Sequence, residues 1–322
     1  MNFDLGDDER ALQQGMRDVC KRLFPMDRVR ALEDAGGIDR TLWHELGQAG
    51  VFSLRQPESE GGVGLGMTEA ALVYEELGRA LVPGPVISTH LSVPLIEGAL
   101  DGQRVVGLID RERTPPVVGQ LPALDTLVVI DPKGLWLVDP QHLGAIPVRQ
   151  PLDPLTPMYL LEHLPKGDKI AGPKEVARWR REGAVLAAAM LVGIASACTE
   201  AAVAYAKERK QFGRPIGSFQ AVKHICADML VREEVARVGT YAAAVMCDDP
   251  GAGDVDRAVA GARLLAGDAA LANGKASIQV HGGMGYTWEV DAHLYLKRAV
   301  LMSTRFGKSD DLAEAVAGTL AP

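Results

Sequence analysis

Between Lys174 and Arg209 the chain carries no proline, and from Ala184 to Ala197 it is apolar almost without interruption. As one helix this stretch would span about 50 Å at 1.5 Å per residue. Its apolar residues do not keep to one stripe, and a helix apolar on all sides has to be covered by other elements. The uninterrupted part is too short and too rich in alanine to read as a membrane span. It reads as the central helix of an antiparallel bundle.

The rest of the chain arranges itself around that helix. Ser218 is expected to cap a second long helix running to about Met246, and Pro250-Gly251-Ala252-Gly253 ends it. Asp254 to Val280 forms a third, and Gly282-Gly283-Met284-Gly285 breaks the chain again. Thr287 is expected to cap a fourth helix to about Thr304, with a short last helix from Asp310. At the other end, Asp7–Phe24 repeats apolar residues every three or four positions: Leu12, Met16, Val19, Leu23. Thr41–Ala49 and Thr68–Leu81 read as helices too, the latter with Thr68 as its cap. Between the two helical regions lie short aliphatic runs, Val105–Ile109, Thr126–Ile130 and Leu135–Val138, punctuated by Pro115, Pro116, Pro132 and Pro140. The expected fold is therefore α+β, mostly α. It has an N-terminal helical domain over 1–102, a small β domain over 103–170 and a C-terminal antiparallel helix bundle over 171–322.

Composition removes several functions. A net charge of −8 and 5% aromatic residues do not suit nucleic acid or an anionic membrane. Cys20, Cys198, Cys226 and Cys247 form no CxxC pair, so neither metal spacing nor a disulfide framework is indicated; four reduced thiols are expected. The opening MNFDLGDDER is acidic and has no apolar segment of the signal-peptide kind. The expected location is the cytoplasm.

No GxSxG or HExxH is present, and no Ser-His-Asp or Cys-His grouping can be assigned from the sequence. Gly61 to Gly66 lacks both the GxGxxG spacing and a preceding strand, and reads as a turn between helices. Two junctions are left. Arg209-Lys210-Gln211-Phe212-Gly213-Arg214-Pro215-Ile216 follows the long helix. Its guanidinium groups suit a phosphate, and they equally suit the negative end of a helix dipole. In Gln279-Val280-His281-Gly282-Gly283-Met284-Gly285-Tyr286 the glycines let another backbone or a cofactor come close, while His281 reads as structural.

Three separated motifs resemble the acyl-CoA dehydrogenase family of flavoproteins. The first is Gly50-Val51-Phe52, Pro57-Glu58, Gly61-Gly62-Val63-Gly64-Leu65 and Glu75-Glu76-Leu77-Gly78-Arg79. The second is Tyr205, Arg209, Gln211-Phe212-Gly213, Pro215-Ile216 and Phe219-Gln220. The third is Gln279, His281-Gly282-Gly283 and Gly285-Tyr286. The resemblance implies Cα–Cβ desaturation of an acyl-CoA thioester. A carboxylate takes the α-proton and FAD takes a hydride. It also implies that Arg209 meets the flavin pyrophosphate, with Gln211, Phe212 and Gln220 beside the cofactor. Gln279, Gly282 and Gly283 would support its adenosine end. In the family such residues serve a flavin seated mainly in a neighbouring subunit.

The chain departs from the family pattern where the base belongs. The usual glutamate position holds Phe306 in Arg305-Phe306-Gly307-Lys308, and Lys308 and Asp310 replace groups that touch the flavin. An alternative base position falls on Gly183, its neighbouring arginine on Ala184. Glu182 is one residue away, displaced by about 100° around the helix. It is either a displaced base or a helix-surface acid beside Arg180 and Arg181. Residues 103–125 also lack the family's flavin-lining loop. This pattern resembles the short non-catalytic subunits of actinobacterial heteromeric steroid-CoA dehydrogenases. It implies an α2β2 assembly with a catalytic acyl-CoA dehydrogenase subunit, FAD shared across the interface, and an electron-transfer flavoprotein or similar acceptor. Two alternatives stay open: a self-sufficient homodimer using Glu182, and a scaffold without flavin.

Overall fold

The proline-free stretch is a single helix in the computed structural model, which describes residues 5–33, 36–164 and 166–318. With elements numbered along the chain, this is α6 (Pro173–Glu208). It starts at Pro173, because proline at the first helical position forfeits an N–H that has no partner there. It is long and apolar enough to cross a membrane, yet its most apolar window is mostly buried inside the protein.

The chain forms two units that interleave in sequence. One holds the described residues up to Arg22, Met67–Val82, and those from Ala184 onward; the other holds Leu23–Gly66 and Pro83–Gly183. The first is helical: α1 (Asp7–Leu23), α4 (Met67–Arg79), the body of α6, α7 (Gln220–Asp248), α8 (Val255–His281), α9 (Ala292–Ser303) and α10 (Ser309–Gly318).

Within that unit, α4 crosses α6 with backbones touching. A Cβ on Gly78 would lie 2.0 Å from the Met190 carbonyl oxygen, and one on Gly193 would lie 1.9 Å from that of Glu75. This explains the glycine in Glu75-Glu76-Leu77-Gly78-Arg79, and its acids have a structural use as well. Both carboxylates are buried, and buried charges require partners. The Arg17 guanidinium grips Glu76 with two bonds, 2.8 and 2.9 Å, from α1. Glu75 accepts from Arg237 Nε at 3.1 Å and from the Tyr241 hydroxyl at 2.7 Å on α7. Burial pushes the Glu75 carboxyl up, against the pull of Arg237.

Three helix starts differ from expectation. The cap of α4 is Asp248, whose carboxylate accepts from the Met67 and Thr68 N–H groups at 2.7 and 3.0 Å and from the Thr68 hydroxyl. Thr68 is thus a capped residue. Ser218 donates to the Pro215 carbonyl instead of capping α7, which starts at Gln220 after Phe219. Thr287 donates to the Met284 carbonyl, closing a turn, and α9 starts only at Ala292. For Ser218 and Thr287 the hydroxyl satisfies a local turn, the competing use open to Ser and Thr. Asp254 does cap α8, accepting from the Arg257 N–H.

The second unit contains α2 (Met26–Ala31), α3 (Arg40–Gln48), α5 (Val86–Ser92), the first turns of α6 and two small sheets. One sheet has the order β1 (Val106–Asp110), β3 (Thr126–Asp131), β4 (Gly134–Val138), β7 (Asp168–Ala171), with only the β1–β3 pair parallel. The other has the order β2 (Val117–Gly119), β6 (Met158–Leu161), β5 (Ala145–Pro147), all antiparallel. The unbroken aliphatic run of β3 follows from its central place, where both faces are covered.

Candidate functional site

The two junctions singled out in the sequence lie at one end of the bundle, and the helix geometry puts them there. Asn273, fully buried on α8, donates at 2.9 Å to the Met229 carbonyl of α7 and at 3.3 Å to the Thr199 hydroxyl of α6. From this crossing α6 runs nine residues to Glu208, α7 reaches back nine to Gln220, and α8 runs eight to His281. At 1.5 Å per residue the three ends are therefore level, each about 13 Å from the crossing. Tyr205 and His281 lock two of them, their rings stacked 4.3 Å apart. The His281 ring donates from Nδ1 to the Ser277 carbonyl at 2.7 Å. This fixes its tautomer and fits the structural role expected of it.

On that end stands a short hairpin, β8 (Lys210–Gln211) paired with β9 (Arg214–Pro215). Its turn is Phe212-Gly213, with φ of +52° and +78°. Two left-handed residues in succession match the twist of a two-residue hairpin, but the first is ordinarily Asn, Asp or Gly. For phenylalanine the conformation costs about 1 kcal/mol. The residue is also 92% exposed, its ring set edge-to-face with Phe219 at a centroid separation of 6.1 Å. Arg209 is fixed at the base of the hairpin: its N–H donates to the Tyr205 carbonyl and its carbonyl accepts from Ile216, both at 2.8 Å. Its side chain and those of Lys207, Lys210, Arg214 and Lys223 are solvent-facing, with Glu208 the one acid between Lys207 and Lys223. A chain with net charge −8 has thus gathered a basic face here.

The other expected residues complete the same end. Gln211 is exposed on the hairpin, and Gln220 opens α7 with its amide 3.0 Å from His224 Nε2. Gln279 is exposed on the last turn of α8. Among the glycines that follow, Gly285 is required by packing, since a Cβ there would lie 2.6 Å from the Ile278 carbonyl oxygen. Gly282 has φ of +63°, and neither it nor Gly283 has any atom within 4 Å of a Cβ position. Among the described residues nothing demands Gly283, and its backbone is open to a ligand. All seven residues expected at a cofactor sit on this one end.

The two candidate base positions are occupied differently. After α9 the chain turns through Arg305-Phe306-Gly307, with φ of +52° at Phe306 and +137° at Gly307. Arg263, buried on α8, holds the turn by donating from one nitrogen to the carbonyls of Met302, Ser303 and Arg305 at 2.8–3.3 Å. Phe306 has no atom that accepts a proton. Glu182 is buried, which corrects the helix-surface reading, and Arg180 points instead to Glu112. Its Oε2 is engaged by Arg178 at 2.7 Å and Arg55 at 2.6 Å. The two guanidiniums hold that oxygen in a buried ion-pair cluster. Sequence reasoning missed Arg55 and Arg263. Both act across large sequence separations, and nothing local marks them.

Comparison with known proteins completes the picture. Residues 6–102 match the acyl-CoA dehydrogenase N-terminal domain and residues 181–320 the acyl-CoA dehydrogenase C-terminal domain. The acyl-CoA dehydrogenase IpdE2 of Mycobacterium tuberculosis is 36% identical over 291 residues, covering 87% of each chain. FadE34 of the same organism is 37% identical over 81% of this chain, which spans only 39% of that relative's length. Among solved structures, a Tcur3481–Tcur3483 steroid ACAD variant superposes with a TM-score of 0.84 at 25% identity, covering 98% of each chain. The ChsE4–ChsE5 complex of Mycobacterium tuberculosis superposes equally well, TM-score 0.84, at 22% identity and full coverage.

Proposed function

The chain belongs to the acyl-CoA dehydrogenase family, and from that premise we propose that it is the non-catalytic subunit of a heteromeric, FAD-dependent acyl-CoA dehydrogenase. It completes a flavin site shared with a catalytic partner and has no base of its own. The observation that carries this reading is the end of the bundle, where a strained, solvent-exposed Phe212 stands among cations beside two open glycines. An isolated chain has no use for that arrangement. The residues suit a dinucleotide: guanidinium forks for a pyrophosphate, amide side chains for hydroxyl and ring edges, and bare backbone for close approach.

When bound, FAD supplies the hydride acceptor for Cα–Cβ desaturation. This chain's own groups hold and orient it. Arg209 takes the pyrophosphate charge, and Gln211 and Gln220 offer amide hydrogen bonds. The Phe212 ring covers an apolar face and excludes water. Gln279, Gly282 and Gly283 receive the adenosine end. The α-proton goes to a carboxylate of the partner, because Phe306 accepts none and Glu182 is committed to Arg55 and Arg178. The steroid ACAD with two named components among the structural relatives supports a bulky, steroid-derived acyl-CoA as substrate and a heteromeric assembly, which on this reading is α2β2. Electrons would leave through an electron-transfer flavoprotein or a similar acceptor.

Arg209→Ala tests the reading in the complex obtained by co-expression with a catalytic acyl-CoA dehydrogenase subunit. Losing a charge-assisted phosphate contact should lower flavin retention roughly tenfold or more. Unchanged flavin content and turnover would overturn the shared site.

A further inference from the structure

Between Ala266 and Ser277, α8 buries one side chain larger than serine, that of Asn273; the others buried there are Ala266, Gly267, Ala269, Ala270, Gly274 and Ser277. The stretch of α6 around its partner Thr199 is small as well, with Ser196, Ala197, Cys198, Ala202 and Ala206 buried. Helices hold their register when large side chains of one fill gaps in the other. Alanine, glycine and serine let helices lie close but interlock little, so packing here resists a slide along the axis weakly. Asn273 supplies what packing does not. Its amide nitrogen has two hydrogens, and each neighbouring helix takes one: the Met229 carbonyl of α7 and the Thr199 hydroxyl of α6. Its Oδ1 accepts from Arg232 of α7 at 3.4 Å. The Thr199 hydroxyl gives its own proton to the Ala195 carbonyl at 3.0 Å, which leaves its oxygen turned to accept from Asn273. One side chain thus ties three helices at one level, as a single buried asparagine fixes the register of a coiled coil.

We propose that Asn273 is a positioning residue for the flavin end: it fixes how far α6, α7 and α8 slide along one another, and so the level at which Arg209, Gln220 and Gly282 are presented together. The proposal rests on the shared-site reading above. Asn273 stands eight or nine residues from the three helix ends and acts on them only through the helices. A helix is stiff along its axis, so a slide at the crossing arrives undiminished at the end. A binding constellation tolerates a displacement of about 0.5 Å, a third of the rise of one residue. Removing the amide leaves neither principal partner short. Thr199 keeps its bond to Ala195, and the Met229 carbonyl, in the interior of α7, keeps its bond within the helix. An apolar side chain of similar size therefore costs little stability, while the register loses its tie.

Substitutions on the full chain separate this role from simple packing. Asn273→Leu should melt within a few degrees of the wild type. In the complex with a catalytic subunit it should bind FAD about tenfold more weakly, read as a dissociation constant by flavin fluorescence. Thr199→Val and Thr199→Ser then test the hydrogen bond itself. Valine keeps the shape and loses the hydroxyl; serine keeps the hydroxyl and loses a methyl group. Positioning through the bond predicts weaker FAD binding in T199V and wild-type binding in T199S. A packing role predicts the reverse order, which would overturn the proposal. If N273L binds FAD like the wild type while Arg209→Ala does not, the positioning role is overturned and the shared site stands. If neither variant weakens binding, both are overturned.

Discussion

Phe212 combines a left-handed backbone with a ring in water, two unfavourable features that a second body can offset. Phe212→Gly should therefore raise the stability of the isolated chain by about 1 kcal/mol, by removing the strain, while weakening flavin retention in the complex. Thermal melts of the chain alone and flavin content of the complex check the two halves. Glu182→Gln should behave in the opposite way. It leaves Arg55 and Arg178 without their shared carboxylate and should cost about 3 kcal/mol of stability. Turnover per bound flavin should not change; its abolition would restore Glu182 as a base. A third prediction concerns His90, buried in the second unit with Nδ1 3.2 Å from the Val51 carbonyl oxygen. Burial pushes its imidazole down to about 4 from 6.5. The unfolded chain then binds a proton that the folded chain refuses. Stability from this group is fully present above pH 6.5 and falls as pH drops toward 4, by about 3 kcal/mol in all. Denaturant melts should show this loss between pH 7 and 4, and His90→Gln should flatten it. What was legible at this scale is what motifs repeat: Arg209, Gln211, Phe212, Gln279 and the glycines. Arg55 and Arg263 were not legible, because their partners are hundreds of atoms away along the chain and a lone arginine carries no local pattern.

Helix bounds follow from apolar period, proline-free length and Pro/Gly breaks, and α1, α6, α7 and α8 stand within two residues of where those signals placed them. Their caps do not follow from these signals. Thr68, Ser218 and Thr287 are all good capping residues by type, yet α4 is capped by Asp248 from the far end of α7. Asp248→Ala should cost about 1 kcal/mol, readable as a lowered denaturation midpoint with unchanged slope. The short strands β2, β5, β6 and β7 escaped notice for a related reason, since runs of three or four residues carry too little period to see. The α4–α6 crossing is sharper still. Gly193→Ala drives a methyl group into the Glu75 carbonyl and should destabilise by at least 1–3 kcal/mol, as overpacking does. Gly261→Ala, on α8 with open space around it, should not. Comparing the two in one melt series separates backbone contact from helix propensity.

For the molecule as a whole, the shared-site reading makes a direct spectroscopic prediction. The chain purified alone should lack flavin absorbance, and the co-purified pair should carry it. Flavin on the isolated chain would mean that its own second unit cradles a cofactor. The interleaving of the two units carries a consequence for how the protein is made. The second unit is complete once Gly183 has been synthesised, whereas α1 and α4 belong to a unit that requires residues from Ala184 onward. At ~5–20 residues per second, on the order of ten seconds pass before α7 and α9 exist to pack against α4. During that interval Glu75 has neither Arg237 nor Tyr241, and the α4 side of Gly78 meets water. The nascent chain should therefore fold from its middle outward, with its first helix among the last parts to find its place.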